Sequence, residues 1–357
     1  MKILCVIDSL GSGGAQRQLV ELAKGFKEKG HKVSFLTYHN INFFRPELEK
    51  YNITIHTILE PNYIKRFFKV RSAIRNHKAD VVLSFLEAAN FITTVSGFPY
   101  RKWKLIVGER SANPAILKSF KLRFYRFFHL FADYVVANSH NNLELVKKVN
   151  PLIKHNKAKV IYNIVDNQKW CGEKKKERIN SSKLKITVAA SHHIYKNAIG
   201  LIESVNLLSN EEKEKISICW YGAKRDVTYL KAIELTEKYN LKNIIEFLPE
   251  TNKIKEFMLK SDIIGLFSFH EGFPNVICEA MTLGKPVISS AVSDLPLFID
   301  KEYLFNPYDP KDISETISKI IKTDKKILIE TGERNKIKAL KLFNKELVTS
   351  SYLNLFE

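Results

Sequence analysis

Thirteen short apolar runs, most of them separated by stretches with helical spacing, leave few folds open to this chain. Seven lie in the first half: KILCVID (2–8), HKVSFLTY (31–38), ITIHTIL (53–59), DVVLSF (80–85), KLIVGE (104–109), DYVVANS (133–139) and KVIYNIVD (159–166). Six lie in the second: LKITVAAS (184–191), KISICWYG (215–222), NIIEFL (243–248), DIIGLFSF (262–269), KPVISSA (285–291) and YLFNP (303–307). Strands that are apolar along their length are buried on both faces, so the β-α-β rhythm predicts parallel sheets covered by helices on each side. The rhythm breaks once, at the polar stretch 167–183, which reads as a linker. The expectation is an α/β chain of two Rossmann-like, doubly wound domains, 1–166 and 184–340, facing a cleft. The helical stretch beyond residue 310 is long enough for 341–357 to cross back to the first domain.

The charge is lopsided. The chain carries +19, and residues 1–165 hold 27 Lys and Arg against 11 Asp and Glu, a net of +16 in that half. Such an excess suits an anionic partner, either a nucleic acid or an acidic membrane surface. The cysteines Cys5, Cys171, Cys219 and Cys278 are scattered, with no C-x-x-C and no histidine at ligand spacing. Reduced thiols in a cytoplasmic protein, with no metal site, are expected. No apolar run approaches the ~20 residues of a spanning helix, and the first apolar run reads as a strand rather than a signal segment.

The segment HEGFPNVICEAMTLGKPVIS (270–289) places Glu271 and Glu279 around a strand-turn-helix junction. Gly272, Phe273 and Pro274 form the turn, and a helix runs from Asn275 to Leu283, closed by Gly284 before Pro286. Its start sits at the carboxyl end of a parallel strand, where open α/β sheets bind ligands, and its N–H groups at 273–276 favour a phosphate. Helical rise separates the two carboxylates by ~10 Å. A retaining glycosidase pair needs roughly 5 Å, so two clamps on the hydroxyls of one nucleotide-diphosphate sugar explain the segment better.

EGFPNVICEAMTLGKPVISS resembles the signature of retaining nucleotide-sugar glycosyltransferases of the GT-B fold, family 4. The likeness extends to GGAQRQLVELAKGFKEKGHKVSFLT near the start, ANS at 137–139, VIYNIVD at 160–166 and LFNPYDPKDISETI near the end. It implies that Glu271 contacts the transferred sugar, that Glu279 binds the ribose, and that Gly272, Phe273, Pro274, Asn275 and Val276 hold the diphosphate.

Three further places carry candidate residues. In SLGSGGAQRQ (9–18) a dinucleotide fingerprint would need glycine where Gln16 stands, and no acid follows the second strand near Tyr38, so NAD is disfavoured. The resemblance instead brings Gly13 and Gly14 towards donor phosphate or acceptor; a plain strand-to-helix turn is the alternative. Lys196 lies between a strand and a helix of the second domain, placed to stabilise a departing diphosphate. The family usually sets an arginine five residues earlier; here that place is Ser191, followed by His192, a pH-dependent donor or simply a loop residue. Glu109 and Arg110 end a first-domain strand, as in some members of the family, either near the reacting sugar or as a buried ion pair.

In FKLRFYRFFHLF (120–131) the phenylalanines fall on one helical stripe and Lys121, Arg123, Arg126 and His129 opposite. The favoured reading is a core helix with a solvated basic face; 63–75, with bases all round, suits an anionic bilayer better. Aromatics on a core stripe are no stacking platform, so nucleic acid is not expected.

Together these features predict a metal-independent transferase. It would take a UDP- or GDP-sugar and, at the inner face of a membrane, glycosylate a glycan or lipid-linked acceptor in surface polysaccharide or lipopolysaccharide assembly. A sugar-nucleotide epimerase of the same shape, or a basic nucleic-acid-binding protein, are the alternatives.

Overall fold

The computed structural model describes residues 1–171, 183–224 and 226–357. Two compact units emerge, Met1–Asp166 with Phe343–Glu357, and Asn167–Leu342. Most of the stretch read as a linker, 172–182, lies outside the described residues; Asn167–Trp170 is a helical turn within the second unit.

The first unit holds a parallel sheet of β1 (Lys2–Val6), β2 (Lys32–Thr37), β3 (Thr54–Thr57), β4 (Val81–Phe85), β5 (Lys104–Glu109), β6 (Tyr134–Ala137) and β7 (Ala158–Val160) in the order β3-β2-β1-β4-β5-β6-β7. Alternate residues of a strand face opposite sides. Ile3 and Cys5 of β1 accordingly join one buried cluster, with Leu83 and Phe85, while Leu4 and Val6 join another with Val82 and Leu105. Both faces are apolar because both are covered.

The helix Lys345–Leu353 completes the first of these clusters. Its Val348 and Tyr352 are buried beside Phe26, whose ring lies 5.3 Å from that of Phe356. Lys29–Glu346 (2.8 Å) and Lys345–Glu28 (2.5 Å) pair it to the helix Gly14–Glu28.

The helix Phe120–Phe127 and the turn Phe128–Phe131 overturn the expectation of a core stripe. Phe120, Phe124, Phe127 and Phe131 are exposed, while Arg126 and His129 are buried. Arg126 donates to Glu109 at 2.8 Å and to Glu87 at 3.2 Å, and His129 Nε2 lies 2.6 Å from Glu109. A buried guanidinium is tolerated only when paired and hydrogen-bonded. Its main partner, Glu109, ends β5, so the helix turns Arg126 and His129 inwards and Phe120, Phe124 and Phe127 outwards, with Lys121 and Arg123 exposed beside them.

The bases of the helix Tyr63–His77 also divide. Arg71 donates to Val95 O (2.8 Å) and Phe98 O (2.6 Å), and Arg75 to Ser96 O (3.0 Å), meeting the carbonyl end of the helix Glu87–Ser96. Lys65 and Lys69 remain outside.

The second unit holds β8 (Leu184–Ala189), β9 (Ile216–Tyr221), β10 (Ile245–Leu248), β11 (Ile263–Leu266), β12 (Val287–Ser290) and β13 (Leu304–Phe305), parallel, in the order β10-β9-β8-β11-β12-β13. Chain direction across the sheet reverses between β8 and β11. In an open parallel sheet such a switch point leaves a crevice at the carboxyl ends of the two strands.

Candidate active site

Both sides of that crevice carry expected site residues. After β8 the chain makes a turn at Ile194–Lys196, then the helix Ala198–Leu207. Asn197 joins them in a left-handed conformation (φ 60°), accepting from Gly200 N (3.1 Å) and donating to Pro307 O (2.8 Å). After β11 the chain passes Ser268 and His270 into Glu271, then Gly272-Phe273-Pro274 and the helix Asn275–Thr282. Phe269 N donates to Tyr195 O at 2.9 Å, which stitches the two loops together.

Their side chains meet. Lys196 Nζ is 2.5 Å from Glu271 Oε1, and Ser268 Oγ donates to the same oxygen at 2.7 Å. The His270 ring lies 4.5 Å from that of Tyr195, and Tyr195 stacks on His193 at 4.8 Å. Burial holds the His270 imidazole below its ordinary pKa, despite the Glu271 carboxylate beside it. Asp226 anchors the outer edge through Ile194 N at 3.1 Å.

The helix mouth is ordered from several directions. Its N-cap residue, Pro274, has no side chain that can cap it; Ile277 N bonds back to Pro274 O at 3.2 Å. The first N–H groups of a helix have no partner inside it, and the dipole there favours an anion. Ser293 Oγ donates to Gly272 O at 2.5 Å and fixes the turn. At the other end Gly284 takes φ +74°, with Lys285 N to Ala280 O (3.0 Å) and Gly284 N to Met281 O (2.9 Å) closing a Schellman motif. Glu279 lies inside the helix, 5% exposed.

His192 is a correction. Its ring is buried against Trp220 (5.8 Å), Tyr229 (5.0 Å) and Phe247 (5.3 Å), and neither ring nitrogen has a hydrogen-bond partner. Burial, then the Lys224 charge, lowers its pKa. Its side chain faces the core of the unit, so it donates nothing to the Lys196–Glu271 pair. Ser191 is half-buried and its carbonyl accepts from His193 N at 2.9 Å.

In the first unit the sheet reverses between β1 and β4, and Gly13 and Gly14 follow β1 as exposed residues opening a helix. Of the two readings of Glu109 and Arg110, the buried ion pair is met by Glu109 alone, and with Arg126 and His129 rather than with Arg110. Glu109, 2% exposed, is committed to Arg126 and His129. Against the upward push of burial, Arg126 and His129 hold its carboxyl below the usual range. Arg110 lies 3.9 Å over the Phe85 ring and donates to Asn163 (3.3 Å) and to the Tyr352 hydroxyl.

The sequence reading passed over Ser268, Asn197 and Ser293. A serine or asparagine marks itself only by position. Each of these three follows a strand at the carboxyl edge of the second sheet, which is the one signal available. Among the described residues no group of three His, Cys, Asp or Glu is placed to hold a metal, and no helix is long and apolar enough to cross a membrane.

A doubly wound pair of parallel sheets, with a lysine–carboxylate pair and a helix mouth at one switch point, describes the GT-B class of sugar transferases. The family models agree: Glycosyl transferases group 1 matches residues 172–338 and Glycosyltransferase Family 4 matches residues 12–169. This chain belongs to the GT-B glycosyltransferases of family 4 and is an enzyme that transfers sugars. A Campylobacter jejuni GalNAc-alpha-(1->4)-GalNAc-alpha-(1->3)-diNAcBac-PP-undecaprenol alpha-1,4-N-acetyl-D-galactosaminyltransferase is 29% identical over 310 residues, 82% of this chain and 79% of the relative. The N,N'-diacetylbacillosaminyl-diphospho-undecaprenol alpha-1,3-N-acetylgalactosaminyltransferase of the same organism is 24% identical over 324 residues, 82% and 81% of the two chains. In fold, the chain is similar to Anabaena HepE crystallised with UDP and glucose, at a TM-score of 0.84, 18% identity, and 99% and 98% coverage. The matches favour neither the epimerase nor the nucleic-acid-binding alternative.

Proposed function

We propose that the second unit binds a nucleotide-diphosphate sugar at its switch point and that the enzyme passes the sugar, with retention, to a saccharide carried on a polyprenyl diphosphate. The observation that carries this reading is the Lys196–Glu271 pair beside the mouth of the helix Asn275–Thr282. The diphosphate rests on the backbone of Gly272, Phe273, Pro274, Asn275 and Val276. Lys196 turns from Glu271 to the phosphate oxygens as charge develops on the leaving group, the step where a fixed cation accelerates reaction most. Glu271, oriented by Ser268, then accepts from a hydroxyl of the sugar; Glu279 receives the ribose. Backbone at Ser191 stands where the family sets an arginine, so Lys196 carries more of the leaving-group charge. Gly13 and Gly14 serve a phosphate or the acceptor at the switch point of the first unit.

The neighbour crystallised with UDP and glucose supports a UDP-sugar over a GDP-sugar, and the two Campylobacter transferases support the lipid diphosphate acceptor. The residues assigned here use no metal ion. The work belongs at the cytoplasmic face of a membrane, in assembly of a surface polysaccharide or lipopolysaccharide.

The test is a thermal-shift screen of UDP- and GDP-sugars, followed by transfer to a polyprenyl-diphosphate saccharide with the anomeric configuration read by NMR. A stabilising UDP-sugar, nucleotide release that needs acceptor, and an α-linked product from an α-linked donor are expected. Release without acceptor, an inverted product, or no stabilisation by any nucleotide sugar overturns it.

A further inference from the structure

The four outward phenylalanines of residues 120–131 form one ridge. Phe120, Phe124, Phe127 and Phe131 are 84%, 45%, 49% and 40% exposed, and their spacing of four, three and four residues sets them along a single line of the helix and its following turn. The ridge has a firm bed. Phe91 lies 4.9 Å from both Tyr125 and Phe128, and Phe98 lies 4.9 Å from Phe131. Arg126 and His129 lock the opposite side to Glu109. The helix therefore cannot roll its rings inwards without unpairing a buried guanidinium.

Water is a poor medium for such a ridge, and the charges around it select its occupant. Between Glu109 and Asp133 the chain has no acidic residue, and Lys118, Lys121 and Arg123 flank the rings from exposed positions. The helix Tyr63–His77 packs on the helix Glu87–Ser96, as the ridge helix does, and it adds exposed Ile64 and Phe68 with Lys65, while Lys69 pairs with Glu60 at 2.6 Å. Aromatic rings at one level with lysine and arginine beside them match the boundary between acyl chains and anionic headgroups.

We propose that this ridge is a membrane-docking element: its phenylalanines enter the headgroup–acyl boundary of an anionic bilayer while Lys118, Lys121 and Arg123 meet the lipid phosphates. The inference deepens the polyprenyl-linked acceptor reading above, yet vesicle binding requires neither donor nor acceptor, so either can fail without the other.

The experiment is co-sedimentation of the full chain with phosphatidylcholine vesicles containing or lacking a third of phosphatidylglycerol. The wild-type chain is expected to sediment with the anionic vesicles and much less with the neutral ones. The triple substitution Phe120→Ser, Phe124→Ser, Phe127→Ser should weaken partition at least tenfold, since each ring withdraws apolar area from water only on the bilayer. Lys121→Gln with Arg123→Gln should weaken it by about fivefold per charge. Both variants should keep the wild-type melting temperature and thermal response to nucleotide. A wild-type chain that ignores anionic vesicles, or a triple variant that binds them undiminished, overturns the proposal. So does a wild-type dimer that the triple substitution turns into a monomer, which would assign the ridge to a second copy of the chain.

Discussion

Lys196 Nζ and Glu271 Oε1 stand 2.5 Å apart, although 75 residues separate them in the chain. They meet because β8 and β11 are neighbours at the sheet reversal and the loops after them share the Phe269–Tyr195 hydrogen bond. The lysine is thus balanced by a carboxylate of its own unit, and on the function proposed above a donor diphosphate would compete for it.

If so, the two residues act as a unit. Lys196→Met and Glu271→Gln should each lower transfer by roughly 10²–10³, and the double variant should lose far less than the product of the two. Both side chains are partly exposed, at 28% and 15%, so each variant should melt close to wild type. Steady-state transfer with melting curves decides it; fully additive losses refute the coupling.

Replacing the buried histidine should spare activity. His192→Phe keeps the ring among Trp220, Tyr229 and Phe247 and removes two unpartnered nitrogens, worth about 1–3 kcal/mol in a dry site. Higher stability and turnover within about twofold are expected, read by urea unfolding and transfer rate. A hundredfold loss of turnover would return this residue to the site.

Acid should attack the first unit at Glu109. A carboxyl whose pKa falls on folding contributes stability above its unfolded value, about 4.3, and loses it as pH drops through the lower folded value. Unfolding monitored from pH 7 to 3 should show that contribution constant down to about pH 5 and then declining. Glu109→Gln should flatten part of the decline and destabilise by roughly 3–5 kcal/mol, because Arg126 is left buried without its main partner.

The site helix also depends on its far end. Gly284→Ala puts a Cβ into a left-handed position at φ +74° and should cost about 1–2 kcal/mol. The cost should be greater for Gly332→Ala, since a Cβ there would lie 2.1 Å from Gly284 O, where the helices Asn275–Thr282 and Lys325–Leu342 touch. Donor affinity measured by calorimetry should fall with it. Unchanged stability in both would show that the contact is slack.

How much of this was open to a reader of the sequence follows from what each signal encodes. The central strands were legible because a parallel strand buried on two faces leaves an unbroken apolar run, such as IIGL in β11, whereas the edge strand β3 is half-exposed and showed itself by its β-branched residues. The site helix was legible because Gly-Phe-Pro and Gly-Lys-Pro punctuate both its ends. The phenylalanine stripe was legible as a stripe but not in direction. Periodicity says which residues share a face; it is silent on which face a distant Glu109 will claim. Ion pairs between positions 109, 126 and 129, and hydroxyl contacts such as Ser293 with Gly272, are set by the fold and leave no local pattern.

The helix Lys345–Leu353 packs into the hydrophobic cluster begun by β1. During synthesis, therefore, a nascent chain carrying all seven strands of the first sheet still leaves Phe26 and its neighbours unshielded. The second unit, continuous from Asn167 to Leu342, can close while its predecessor waits. Folding of the first unit is thus expected to finish after that of the second, and chaperone occupancy on the ribosome should peak late, on the segment that was made first.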